Sequence, residues 1–117
     1  MNSLAIFTLV FGFLFIIGCG SQQEQEGLPA IEYTTETIKL ETIHCQMCVA
    51  TVQKAIAEVE GIYEANVDLT AKMATVSFDA DMTTLNEIEK SIAKAGYHAN
   101  ETTRDDDAYA RLPDCCR

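Results

Sequence analysis

Basic residues are scarce in this chain. Eight Lys and Arg stand against eighteen Asp and Glu over 117 residues, a net charge of -10 with a sequence pI near 4.4. Nucleic-acid binding needs a basic footprint and is excluded on that ground. The acids are spread along the chain, so their plain meaning is a solvated surface that keeps a domain in solution. Proline is nearly absent: only Pro29 and Pro113 occur, and neither lies between residues 36 and 103. No apolar run reaches the roughly twenty residues that a bilayer-spanning helix requires. The longest, Leu4 to Gly18, has about fifteen, and residues 1–18 carry no charged side chain. The chain is long enough for one domain.

What is present begins with that apolar leader, whose length suits the core of a secretory signal. Ile16-Ile17-Gly18-Cys19 closes it. This tetrad resembles the lipobox of bacterial lipoproteins, although Met1-Asn2-Ser3 lacks the Lys or Arg such signals usually carry. The resemblance implies cleavage after residue 18 and lipid on Cys19, with the protein held on an envelope membrane and its domain on the extracytoplasmic side. Residues 19–35 follow as a polar tether. Some sixteen residues of it give an r.m.s. reach of about 20–24 Å.

From residue 36 the apolar spacing alternates between two periods. Ile38 and Leu40 alternate with Lys39 and Glu41, as in a half-buried strand. Val49, Val52, Ile56 and Val59 make a helical stripe ending near Gly61. Ala65, Val67 and Leu69 form a second strand, and Ala74, Val76 and Phe78 a third. Thr84 with Glu87 predicts a capping box, opening a stripe of Leu85, Ile88, Ile92 and Ala95 that stops at Gly96. Tyr97 to Thr103 is expected to be an edge strand. The order is βαββαβ, an α+β ferredoxin-like sandwich: a four-stranded antiparallel sheet with both helices on one face, spanning residues 36–103. Residues 104–117 are an acidic tail ending in a cysteine pair.

Five cysteines fall into three groups: Cys19, the Cys45–Cys48 pair, and Cys115–Cys116. Thr42-Ile43-His44-Cys45-Gln46-Met47-Cys48, between the first strand and first helix, resembles the metal loop of the heavy-metal-associated domain family, which includes copper chaperones, the amino-terminal domains of copper-pumping ATPases and periplasmic mercuric-ion-binding proteins. Its motif reads Gly-Met-x-Cys-x-x-Cys; Cys45 and Cys48 match the metal cysteines, while Thr42 and Ile43 replace Gly-Met. Ala95-Gly96-Tyr97 also resembles the loop that faces the metal in bacterial members. The resemblance implies that Cys45 and Cys48 bind a soft ion and pass it on, with Ile43 filling the apolar role under the loop and Tyr97 walling the site. It implies a carrier rather than an enzyme, and a donor or acceptor such as a metal-transporting ATPase.

The chemistry of the residues agrees. A thiol at the first turn of a helix meets unpaired N–H groups and the positive end of the dipole, and both favour the thiolate that binds metal. Two thiolates suit Cu(I) first and Hg(II) next; structural Zn(II) wants four ligands. His44 points away from Cys45 if the segment is extended, so it is read as an exposed group tuning local charge ahead of an auxiliary ligand. Met47 is expected to face solvent. Thiol–disulfide exchange is the rival function, since Cys-x-x-Cys at a helix start also serves redox proteins. That fold, however, needs a proline loop opposite the site. A metal-responsive adaptor is a third reading. For Cys115 and Cys116 two readings stand: incidental cysteines on a disordered end, or auxiliary metal thiolates that fold back. Twelve residues separate Thr103 from Cys115, a reach of at most about 40 Å, enough to return along a short strand.

Overall fold

The computed structural model describes residues 31–117. The expected signal segment 1–18, Cys19 and most of the expected tether 19–35 lie outside the described residues. No helix among the described residues is long and apolar enough to cross a membrane.

Strand β1 runs Tyr33–Lys39, β2 Ile62–Asp68 and β3 Met73–Asp79; helix α1 spans Gln46–Ala57 and α2 Leu85–Lys94. The sheet is antiparallel in the order β1-β3-β2, with Ile38 opposite Ala74 and Ala65 opposite Val76. Along β3 the side chains of Ala74, Val76 and Phe78 are buried. Ile38 from β1 and Val67 from β2 join them on the same face, as period-two alternation requires. Val52 and Ile56 of α1 and Ile88 and Ile92 of α2 complete this core. Helix ends follow local chemistry. Thr84 Oγ1 accepts a hydrogen bond from the Glu87 backbone N–H at 3.3 Å, but the Glu87 carboxylate pairs with Lys90 at 2.9 Å, so only half of the expected box forms. At the other end Gly96, with φ of +102°, donates to Ala93 O while Tyr97 donates to Ile92 O. This is the two-bond closure of a Schellman turn.

Two sequence expectations need correction. Among the described residues the sheet has three strands, not four. Residues 97–103 contain only an isolated bridge between Ala99 and Thr102, because Asn100 adopts φ of +51° and turns the chain back on itself. The tight turn leaves no extended run long enough to form a ladder with β1. Asn100 instead meets the end of β1 at one point, its N–H donating to Lys39 O at 3.0 Å and its Oδ1 accepting from Lys39 N at 2.8 Å. Second, the buried stripe of α1 is Cys48, Val52, Ala55 and Ile56; Val49 is half-buried and Val59 lies beyond the helix.

Beyond the sheet the chain continues in ordered form. Asp106–Ala110 form a short helix, α3, and Asp114–Cys116 a single 3-10 turn.

Candidate metal centre

Cys45 caps helix α1 from an extended backbone, φ -145° and ψ 167°, and Cys48 is the third helical residue. One turn of helix therefore stacks the two side chains, and their Sγ atoms lie 3.3 Å apart. They are not equivalent. Cys45 is half-buried, whereas Cys48 is 0% exposed and belongs to the core stripe. The Cys48 backbone N–H faces Cys45 Sγ and, with the Cys48 thiol, lowers the Cys45 pKa to about 7 from an ordinary 9.0. No capping hydrogen bond of regular geometry forms from the Cys45 side chain. The helix terminus and a second thiol thus hold a thiolate at the mouth of the site near neutral pH.

Ile43 is fully buried beneath the loop, with its N–H on Leu40 O at 3.2 Å. Tyr97 is 1% exposed and sits against Cys48 and Cys116. Burial first, and these thiols next, raise its pKa far above the ordinary range, so its ring is a neutral wall. The Tyr97 hydroxyl is buried without a hydrogen-bond partner. Thr42 Oγ1 accepts from the His98 N–H at 3.2 Å and ties the metal loop to the Tyr97 segment. His44 takes no part in the sulfur cluster: it is exposed, and its Nδ1 lies 3.0 Å from the Thr42 carbonyl, to which it donates.

The C-terminal cysteines come to the same place. Cys45 Sγ is 3.6 Å from Cys115 Sγ and 3.6 Å from Cys116 Sγ, and the last two are 3.7 Å apart. The tail is anchored to achieve this. Asp105 N–H donates to Ala93 O at 2.9 Å, its carboxylate accepts from Ala108 N–H at 2.7 Å, and the Arg104 guanidinium lies 3.4 Å over the Tyr109 ring. Leu112 packs on the core, and Cys116 N–H closes the final turn on Pro113 O at 2.8 Å. Met47, expected to face only solvent, is 51% exposed, yet its Sδ lies 3.8 Å from Cys115 Sγ. Sequence reasoning did not find the docking of Arg104 and Tyr109. Its trace in the sequence was Tyr109 and Leu112, the sizeable apolar residues of the tail; in the structure they lie so near Gly96 that a Cβ there would stand 3.0 Å from the Tyr109 backbone.

A small α+β domain carrying paired thiols at a helix start is the form of a soft-metal-binding module. The heavy-metal-associated domain model matches residues 37–98, and the chain belongs to that family. It is 38% identical over 63 residues to the mercuric transport protein periplasmic component of Pseudomonas aeruginosa, covering 54% of this chain and 69% of that protein. To the copper chaperone CopZ of Bacillus subtilis it is 36% identical over 62 residues, 53% of this chain and 90% of the relative. The crystal structure of oxidized MerP from Ralstonia metallidurans CH34 superposes with a TM-score of 0.57 at 33% identity, covering 59% of this chain and 96% of that one.

Proposed function

We propose that this protein is a carrier that captures a soft ion, Cu(I) first and Hg(II) next, on Cys45 and Cys48 and hands it to a partner presenting its own thiols. The observation that carries the reading is the pair of sulfurs 3.3 Å apart at the helix start, one of them at the surface with a depressed pKa. The relatives named for mercuric transport and for copper chaperoning support the same chemistry. Soft, low-coordinate d¹⁰ ions match two thiolates; Zn(II) would ask for a fuller shell.

Handover follows from the asymmetry of the pair. A partner thiol loses its proton as it bonds to the ion, and Cys45, the exposed member, is the sulfur that leaves and regains a proton. Cys48, held in the core, is the last to let go. The partner's pair then holds the ion, with no change in oxidation state. A metal-transporting ATPase or transporter is the kind of acceptor this exchange fits. Lipid on Cys19 would keep the protein at an envelope membrane, on its extracytoplasmic side. Thiol–disulfide exchange is disfavoured because the order β1-α1-β2-β3-α2 is not the one a thioredoxin-type redox protein needs. Turnover of a disulfide substrate would reinstate it; a metal-dependent complex with a protein that receives no ion would favour the adaptor.

The reduced full chain should bind Cu(I) and Hg(II) ahead of Zn(II) in a competitive titration followed by native mass spectrometry. Cys45→Ser with Cys48→Ala should weaken Cu(I) binding by at least about a hundredfold, roughly 2.8 kcal/mol. Alanine is used at 48 because a hydroxyl in that apolar stripe costs about 1–3 kcal/mol of stability. A folded double variant that binds as tightly as the parent would remove the pair from the site.

A further inference from the structure

The family segment ends at residue 98, so nothing in it assigns Cys115 and Cys116. Their placement is nonetheless specific. Cys45, Cys115 and Cys116 form a triangle with edges of 3.6, 3.6 and 3.7 Å, and no other group of three or more His, Cys, Asp or Glu gathers this way among the described residues. With metal–thiolate bonds of about 2.3 Å, thiolates around one ion stand roughly 3.8–4.0 Å apart in tetrahedral or trigonal geometry, and about 4.6 Å in linear geometry. The triangle is within a few tenths of an ångström of the first case and an ångström short of the second.

Adjacent residues present two sulfurs to one point only when the backbone is not extended, since extended neighbours diverge. The 3-10 turn Asp114–Cys116 meets that condition. The turn is held from several sides. Leu112 packs on the core, the Asp105 N–H closes on the end of α2, and Cys116 is 1% exposed against Tyr97. A disordered end carrying incidental cysteines would not bury one of them beside the site.

We propose that Cys45, Cys115 and Cys116 form a three-thiolate site for a soft monovalent or divalent d¹⁰ ion, in which the C-terminal turn closes over the cargo. The inference rests on the carrier reading and deepens it. Cys45 is common to the triad and to the Cys45–Cys48 pair, so the ion moves between a closed three-sulfur arrangement and an open two-sulfur one by exchanging ligands around one fixed thiolate. On opening, Cys48 gives up its proton as it bonds to the ion while Cys115 and Cys116 leave and regain one each, so two thiolates replace three with a net uptake of one proton and no redox partner is needed. Undocking of the tail becomes the step that exposes the ion to an acceptor.

The test uses the reduced full chain loaded with one equivalent of Cu(I), alongside Cys115→Ser/Cys116→Ser and Cys45→Ser/Cys48→Ala. X-ray absorption should count three sulfurs in the parent and two in the tail variant. The tail variant should also lose Cu(I) to a competing chelator at least about tenfold more readily. Two sulfurs in the parent, with retention equal to that of the tail variant, would overturn the triad while leaving the Cys45–Cys48 pair standing. Three sulfurs in a species whose native mass holds two chains would overturn it as well, since the third thiolate would then come from a second molecule. The pair itself fails separately, if Cys45→Ser/Cys48→Ala holds Cu(I) like the parent.

Discussion

At the scale of the residue, the two cysteines of one motif differ in burial and in chemistry. Cys45 leaves the extended backbone at the cap and stays at the surface; Cys48, three residues on, points down the stripe of Val52 and Ile56. The consequence is a pH signature. The folded state favours the Cys45 thiolate, mainly through the Cys48 backbone N–H, so the folded pKa of about 7 lies below the ordinary 9.0. That preference is fully expressed above pH 9.0 and is lost as pH falls through about 7. Cys116 runs the other way, pushed up to about 12 by burial, and Cys115 is raised as well by its contact with Cys45. Iodoacetamide labelling of the reduced, metal-free chain, mapped by peptide mass spectrometry, should therefore show Cys45 modified with a midpoint near pH 7. Cys116 should stay unmodified until well into the alkaline range. A Cys45 profile centred at its ordinary value would mean that the helix terminus does not act on it. The spacing of the pair was legible in the sequence, because Cys-x-x-Cys before a helical stripe leaves few other readings. The burial of Cys48 was not: the sequence reading put both thiols on an exposed loop, and the structure buries Cys48 completely. Val49 and Cys48 compete for the same face, and which one wins depends on how α1 seats on the sheet.

At the scale of the element, Gly96 links the domain to its tail. It closes α2 with φ of +102°, a conformation in which an added Cβ is strained in any case. The added atom would also meet the Tyr109 backbone at 3.0 Å and Leu112 Cδ1 at 3.1 Å. Backbone cannot swing aside as a side chain does, so α3 must move away. Gly96→Ala is expected to cost more than about 1 kcal/mol in urea unfolding. It should also raise proteolytic cleavage within residues 104–117 and shift bound Cu(I) toward two sulfurs. Unchanged protection of the tail would show that α3 does not depend on this close approach. The sequence announced the glycine as a helix stop and was right about that. Its second role was hidden, because the contact joins residues 96 and 109 through a docking that leaves no periodic pattern. The missing fourth strand has the same cause. Tyr97 to Thr103 alternates weakly, and a single left-handed Asn100 ends the pairing after one residue. Strand propensity read residue by residue does not register such a turn.

At the scale of the whole molecule, the apolar core of Ile38, Val52, Ile56, Val76, Ile88 and Ile92 stands without help from the sulfurs. The domain is therefore expected to stay folded when its ion leaves, which a carrier needs. Where it does so is a matter for the segment ahead of it. The sequence before the domain is an uncharged apolar run, a small residue and Cys19, followed by Gln, Glu, Gly and Ser in a stretch with nothing to pack. A chain with a net charge of -10 has no electrostatic reason to lie on an anionic membrane. The lipobox-like Ile16-Ile17-Gly18-Cys19 offers a covalent attachment, which is the one proposed for this chain. Two or more acyl chains on one residue hold a protein firmly, where one chain binds only marginally. Cys19→Ser in the full chain, expressed in a bacterial host, is expected either to move the protein from the membrane fraction to the soluble envelope fraction or to leave the leader uncleaved. The mass should lack the acyl addition in both cases, while Cu(I) binding stays as in the parent, because position 19 lies outside the family segment 37–98 and the sulfur cluster. A variant with the parent's fractionation and mass would show that Cys19 carries no lipid, and the apolar run itself would then have to be the anchor.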